Sequence, residues 1–463
     1  MYDLSLFIFR RDLRLADNRG LIKAAEQSKK IIPLFIIDPR QASTQNHYKS
    51  ERAFSFMLQS LIDLDHQLAS ANGKLYIAQG VPHTIVKTLC ASLNIQAVFT
   101  NRDYTPFSIS RDQEIEKVCH QSNCAFIQTD DVLLLTPEQG TKADGSSYHV
   151  FTPFYRNAQK KLSISTQPLN NAHFYKKTIE ICTSIHKLCQ HDEYNPHTTN
   201  DNDLTGGREA AKQCLSTLPH LHAYQKERDI PALDATSHLS AHLKFGTLSI
   251  REAFLSIHKA LGGNHPLLRQ LFWRDFFSHI AFFYPHVFGH AFNKKYETIT
   301  WENDQKKFER WCTGQTGFPI VDAGMRELNA RGFINGRIRM IVASFLIKDL
   351  HIDWRLGERY FATKLVDYDP CVNNGNWQWV ASTGCDAQPY FRIFNPWQQQ
   401  KKFDAECAYI YRWVPELRGV HNKLLHTLYK KALPATDTYP HPLIVHDRER
   451  LKTIAYYKKQ NPS

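Results

Sequence analysis

The feature that most constrains this chain is a change of hydrophobic period partway along it. Through residues 1–130, short β-rich runs recur (LSLFIF, IIPLFII, KLYIA, AVFT and AFIQT), separated by amphipathic stretches such as residues 51–70. Strand-type runs alternating with helical ones call for parallel strands joined by crossover helices. Residues 1–130 therefore read as an α/β domain built on a Rossmann-like, parallel five-stranded sheet. No GxGxxG follows the first run, so a dinucleotide site of that kind is not indicated, although the strand ends can still hold another ligand. Residues 131–205 are polar and lack a sustained period, as in QPLNNAHFYKKT and HDEYNPHTTNDND, and read as a connector. From residue 206 onward nearly every apolar run has helical spacing, as in Leu267, Leu271, Phe272, Phe276 and His279. Residues 206–463 therefore read as one large all-α domain.

Composition narrows the function classes. A 463-residue chain that is 42% hydrophobic and 12% aromatic excludes disorder and supplies ample surface for stacking. The formal net charge of +12 favours an anionic partner, because clustered Lys and Arg attract phosphate backbones. Ten cysteines occur without a CxxC pair, so reduced, packed thiols are expected and no metal site. No apolar run reaches membrane-spanning length, and the first 14 residues read as a charged strand and turn rather than a signal peptide, so a cytoplasmic location is expected.

One stretch is too polar for ordinary core. In DYDPCVNNGNWQWVASTGCDAQPYFRIFNP, residues 367–396, Asp367, Asp369, Asn373, Asn374 and Asn376 crowd around Trp377 and Trp379. A buried amide or carboxylate without a partner costs roughly 1–3 kcal/mol, so this segment reads as a loop satisfied by a large, flat, hydrogen-bonding cofactor. Two further segments point the same way. Thr236 and Ser237 precede a helix that begins near Leu239, a place where hydroxyls and free amides either form a plain N-cap or bind a diphosphate. In the helix expected near residues 335–348, Arg337 and Met340 share one face while Arg339 points elsewhere, so the helix serves two environments.

With these segments the chain resembles the cryptochrome/photolyase family of flavoproteins. The likeness is carried by RRDLRL at 10–15, TSHLSAHLKFGTLS at 236–249 and FWRDFF at 272–277. It continues through TGFPIVDAGMREL at 316–328 and NGRIRMIVASFLIKDLHIDWRLGERYF at 335–361. Within the family the chain looks most like the bacterial and archaeal members that repair cyclobutane pyrimidine dimers. The resemblance implies bound FAD, UV-damaged DNA with a pyrimidine dimer as partner, and dimer splitting by an electron from excited, reduced FAD. It implies no obligate protein partner. A six-four photolyase or a cryptochrome-type blue-light photoreceptor is the alternative within the family.

The resemblance also implies roles for individual residues. Thr236, Ser237, Leu239 and Ser240, with Tyr224 nearby, match the motif that holds the flavin diphosphate. Asp367 and Asp369 match contacts to the ring and ribose region, Arg339 matches the partner of Asp367, and Asn373 matches the residue against flavin N5. An amide suits that place because it accepts from a protonated nitrogen and donates to a deprotonated one. Trp377, Trp354 and Trp301 match the electron-hopping chain, whereas Trp273, Trp379, Arg337 and Met340 match positions that face the lesion. Lys244, Arg52 and Asp103 match residues of relatives that bind an 8-hydroxy-5-deazaflavin antenna. His47 falls near a histidine of folate-binding relatives, so methenyltetrahydrofolate is the alternative antenna. Three departures stand out. Gln270 replaces a glutamate usual in dimer repair, Gly336 replaces a common asparagine, and His238 replaces a common arginine. The catalytic histidine pair of six-four enzymes is also missing, since Gly336 and Met340 hold those places.

Overall fold

The computed structural model describes residues 1–196, 204–430 and 435–459. These residues form two compact units that interleave along the chain. The first comprises 1–220, 237–285 and 366–369, and the second 221–236, 286–365 and 370–463.

The first unit is organised by a sheet of strands β1 (Ser5–Phe9), β2 (Ile31–Ile37), β3 (Tyr76–Gln79), β4 (Ala97–Asn101), β5 (Ala125–Thr129) and β6 (Cys182–Thr183). Their spatial order is β5-β4-β1-β2-β3-β6. All pairs are parallel except β3 with β6. The expected five parallel strands are thus present, and the expectation is corrected by a sixth, antiparallel one. A two-residue strand is too short to show any period, which is why it was not apparent inside the polar connector. The same connector also holds a helix, Phe151–Lys161, which buries Phe151 and Phe154. Strands β1 and β4 are buried along their whole length, as central parallel strands covered by helices on both faces must be. Three of the crossover helices start where the sequence supplies caps. Asn18, Ser50 and Thr105 each accept a backbone N–H from the first turn that follows.

Strand order reverses direction between β1 and β4, which makes their carboxyl ends the topological switch point where open α/β sheets place ligands. The turn after β1 is pinned there by side chains. Asn101, at the end of β4, donates to Asp12 and Asn18, and its Oδ1 accepts from the Gly20 amide at 3.0 Å. Helices Leu239–Phe245, Ile250–Leu261 and Pro266–Phe283 belong to this unit too. Arg251 pairs with Asp17 at 2.8 Å and Asp131 at 2.6 Å, and Arg14 pairs with Asp131 at 2.6 Å, in a network no more than 3% exposed.

The second unit is helical. Its main helices are Pro319–Arg331, Gly336–Ser344, Trp354–Lys364, Pro370–Ala381, Pro396–Phe403 and His446–Lys459, with a π-helical turn at Phe345–Asp349. Two glycines set how closely helices approach. A Cβ on Gly324 would lie 2.4 Å from Ile338, and one on Gly357 would lie 2.2 Å from the Trp377 ring. No described helix is long and apolar enough to cross a membrane. The ten cysteines are free thiols, six of them buried.

Candidate functional site

In the second unit the segment expected to be a loop is helical from Pro370 to Ala381. Asn373, Asn374, Gly375 and Asn376 are poor helix formers and hid it, so tertiary contacts supply what propensity lacks. Asn374 and Gln378 lie one turn apart and face the same neighbouring segment. Both donate to the Val287 carbonyl, at 3.0 and 3.1 Å, Gln378 also donates to the His290 carbonyl at 3.1 Å, and its Oε1 accepts from the Phe292 amide at 2.8 Å. Asn374 further donates to the Glu358 carboxyl at 3.0 Å. Burial pushes that carboxyl up to about 7 despite this bond and the nearby Arg355 and Arg359.

Asn373 is 9% exposed and donates its amide N–H to the Glu358 backbone carbonyl at 3.1 Å. Among the described residues nothing donates to its Oδ1. The side chain therefore offers an acceptor, the end that suits a protonated ring nitrogen. Four residues on, Trp377 is buried edge-on against Phe361 at 5.0 Å and Trp311 at 6.4 Å between ring centroids. Trp354, also buried, opens its helix beneath the Arg355 guanidinium at 5.0 Å, and Trp301 is half-buried before the helix Gln305–Cys312. Trp379, partly buried, sits two residues beyond Trp377 and so points away from it.

Trp311 was not singled out from sequence. It is fully buried, donates from Nε1 to the Val342 carbonyl at 3.0 Å and stacks on Phe361. Its only sequence signal is a tryptophan ten residues after Trp301, which cannot be told from ordinary core without the fold.

The helix Gly336–Ser344 begins at Asn335, whose side chain accepts from the Arg337 amide and donates to the Arg228 carbonyl at 2.9 Å. Arg337 pairs with Asp229 at 2.7 Å and lies 4.5 Å above the Phe403 ring. Arg339 turns elsewhere, as its spacing requires, donating to the Ile334 carbonyl at 3.0 Å beside Phe333. Met340 is partly buried, and Tyr224 is buried under Arg228. A Cβ on exposed Gly336 would meet nothing within 4 Å, so packing does not force that departure.

In the first unit, Ser237 leads into the helix Leu239–Phe245 as expected. The cap residue is His238, in the left-handed region at φ 51° and without a side-chain cap bond. A helix start of this kind can take an anionic group where a cap would be. Leu239 is buried and Ser240 is exposed. Asp369 is 7% exposed and pairs with Arg11, whose guanidinium also binds Asp103 at 3.1 Å and, through Nε, the Lys244 carbonyl at 3.2 Å. Burial alone would raise the Asp103 carboxyl, but Arg11, Arg111, Lys244 and Arg10 together hold it well below the usual range. Two of the three antenna candidates, Asp103 and Lys244, are thus brought together. Arg52 is partly buried at the start of the helix Glu51–Ser70, and His47 is exposed. Trp273 stacks on Phe151 with ring centroids 3.7 Å apart, and half-buried Gln270 lies one turn before it.

The expected flavin residues divide between the units. Ser237, Leu239, Ser240, Asp367 and Asp369 belong to the first, and Tyr224, Thr236, Arg339 and Asn373 to the second. The expected lesion residues divide likewise, Gln270 and Trp273 in the first and Arg337, Met340 and Trp379 in the second. Among the described residues no group of three His, Cys, Asp or Glu side chains is placed to hold a metal ion. In the helical unit, the free acceptor of Asn373 beside buried Trp377 has the chemistry expected of a flavin contact, in a chain with an α/β unit and a helical unit.

Comparison with known proteins agrees. The DNA photolyase family matches residues 5–173, and the FAD binding domain of DNA photolyase matches residues 267–459. The deoxyribodipyrimidine photo-lyase of Vibrio cholerae is 35% identical over 98% of this chain and 99% of its own. The crystal structure of an archaeal photolyase from Sulfolobus tokodaii with two FAD molecules is 41% identical, with a TM-score of 0.88 over 98% of this chain and 100% of that one. A bacterial class III photolyase from Agrobacterium tumefaciens is 31% identical, with a TM-score of 0.90 over 100% of this chain and 98% of that one. The chain belongs to the cryptochrome/photolyase family.

Proposed function

We propose that this protein is a light-dependent DNA repair enzyme, a deoxyribodipyrimidine photolyase that splits cyclobutane pyrimidine dimers. The observation that carries the reading is the helix Pro370–Ala381. It presents Asn373 with its N–H already committed to the Glu358 carbonyl and its oxygen unclaimed, and it buries Trp377 against aromatic neighbours. Bound, reduced FAD supplies, on excitation, the electron that opens the cyclobutane ring, and recovers it afterwards.

The protein's own groups position and insulate. Asn373 Oδ1 would accept from a protonated ring nitrogen, and by the resemblance Asp367, Asp369 and Arg339 would serve the ring and ribose. The segment from Thr236 to Ser240, with Tyr224, holds the diphosphate. Trp377 would pass an electron inward and be refilled through Trp354 and Trp301, the last re-reduced by an external reductant such as a thiol. Gln270, Trp273, Arg337, Met340 and Trp379 receive the damaged bases once they leave the stack, a step costing a few kcal/mol that is easiest at a lesion. In functional terms, residues 1–130 serve an antenna, 131–205 connect, and 206–463 hold FAD and DNA. Asp103, Lys244 and Arg52 bind the antenna, of 8-hydroxy-5-deazaflavin type. A second FAD, as in the Sulfolobus tokodaii structure, and methenyltetrahydrofolate are the competitors to be separated by reconstitution.

The test is repair of an oligonucleotide carrying one thymine dimer, under blue light and in the dark, with a six-four lesion as the second substrate. Light-dependent restoration of the dimer alone is the expected result. Repair of the six-four lesion alone would overturn the substrate, and repair of neither by flavin-loaded protein would favour a photoreceptor.

A further inference from the structure

One side chain joins residues that the function assigns to different ligands. Arg11 follows β1 and Asp103 follows β4, so both stand at the carboxyl ends of the two strands that flank the switch point. From there the Arg11 guanidinium makes three contacts in different directions. Nη1 binds Asp103 at 3.1 Å, Nη2 binds Asp369, and Nε donates to the Lys244 carbonyl in the last turn of the helix that Leu239 and Ser240 begin. The side chains of Arg11, Asp103 and Asp369 are 15%, 11% and 8% exposed, so solvent screens the two pairs little. Arg11 has little freedom to leave. The backbone that follows it is tied by the Leu13 amide to the Phe245 carbonyl, and Gly246, at φ 65°, lies so close that a Cβ there would meet the Arg11 carbonyl at 2.0 Å. Covalently, the chain leaves the first unit at Asp369 and starts the Asn373 helix at Pro370.

We infer that Arg11 is a positioning residue that transmits the state of the strand-end crevice, through Asp103, to the flavin-side carboxylate Asp369. The inference rests on the proposed reading that Asp369 serves FAD. A rigid planar fork shared by two carboxylates is held in place by both, so loosening one end frees the other. By linkage, any group that engages Asp103 in the crevice changes FAD affinity by the same factor as FAD changes its own.

The experiment is a double-mutant cycle on the flavin-loaded, full-length protein, following FAD release by the rise in flavin fluorescence at a temperature where circular dichroism is unchanged. Arg11→Gln is expected to speed release about tenfold and Asp103→Asn about threefold, within the range of site-to-site coupling, and the double variant should release no faster than Arg11→Gln alone. Arg11→Lys, which keeps the charge but not the fork, should fall between wild type and Arg11→Gln, and it carries the cycle if Arg11→Gln does not fold. Asp103→Asn acting by the same factor in both backgrounds, or leaving release unchanged in wild type, overturns the link. Wild-type protein that holds no flavin would instead sink the reading on which the link rests, so the two failures are distinct.

Discussion

Two regions, the strand-end network of the first unit and the layer around Asn373 and Trp377 in the second, solve the same problem, buried polar groups, in opposite ways. The first buries full charges and pairs them, Arg14 and Arg251 with Asp17 and Asp131, and Arg11 with Asp103 and Asp369. Around Asn373 and Trp377 the second uses neutral amides that donate to carbonyls, and the carboxyl in that layer, Glu358, is pushed up to about 7. The contrast has a physical logic. Paired charges fix strand ends and helix starts with strict geometry. In the proposed function an electron moves past this layer, where a fixed negative charge would penalise one redox state and amides give the same rigidity without it.

The largest test of the contrast removes a charge from the first unit. Asp131→Asn leaves Arg14 and Arg251 buried with too little counter-charge, so thermal unfolding should show a loss of about 3–5 kcal/mol. A loss below that of an ordinary buried hydrogen bond would mean the network is not the cement it looks like.

Glu358 gives the corresponding test in the second unit, through pH. Burial raises its folded-state value from 4.5 to about 7, so between those values the native protein keeps a proton that the unfolded chain has lost. Stability from this group is therefore full below pH 4.5, falls as pH climbs through the window and is level above it. Glu358→Gln should remove that fall, gaining up to about 3 kcal/mol over wild type at pH 8 relative to pH 4.5. Parallel melting curves for the two proteins across this range would show that the carboxyl does not titrate there.

Gln378→Ala should cost less, about 1–3 kcal/mol, because it removes hydrogen bonds to neutral groups, the Val287 and His290 carbonyls and the Phe292 amide, rather than to a charge, and the Val287 carbonyl keeps its bond from Asn374. If it matched Asp131→Asn in thermal unfolding, the distinction between the two kinds of cement would fail.

Much of this was legible in the sequence, and what was not has specific causes. The five parallel strands and the start of the helix at Leu239 follow from periodicity and from the hydroxyls before it. Strand β6 has two residues, and the helix at Pro370 is masked by asparagines and a glycine, so neither shows a period. The split positions of Arg337 and Arg339 were readable from their spacing alone. The pairing of Arg11 with Asp369 was not, because it joins side chains 358 positions apart that share no pattern. For the same reason sequence distinguishes Trp377 from Trp311 only through resemblance, although in the fold their rings are neighbours.

The smallest expected effect concerns that neighbour. Trp377→Phe should stop light-driven reduction of oxidised FAD while sparing dimer repair by chemically reduced protein, since in the proposed function it removes the first member of the relay. Trp311 touches the same ring at 6.4 Å but hands its indole N–H to the Val342 carbonyl and stacks within an aromatic cluster that includes Phe361, Phe308 and Tyr360. Trp311→Phe should therefore cost about 1 kcal/mol of stability through the lost hydrogen bond and leave photoreduction running through Trp354 and Trp301. Transient absorption of the two variants decides it. If photoreduction stops in Trp311→Phe as fully as in Trp377→Phe, electrons enter by way of Trp311, and the aromatic packing of the second unit is itself the relay rather than the rigid surround of one.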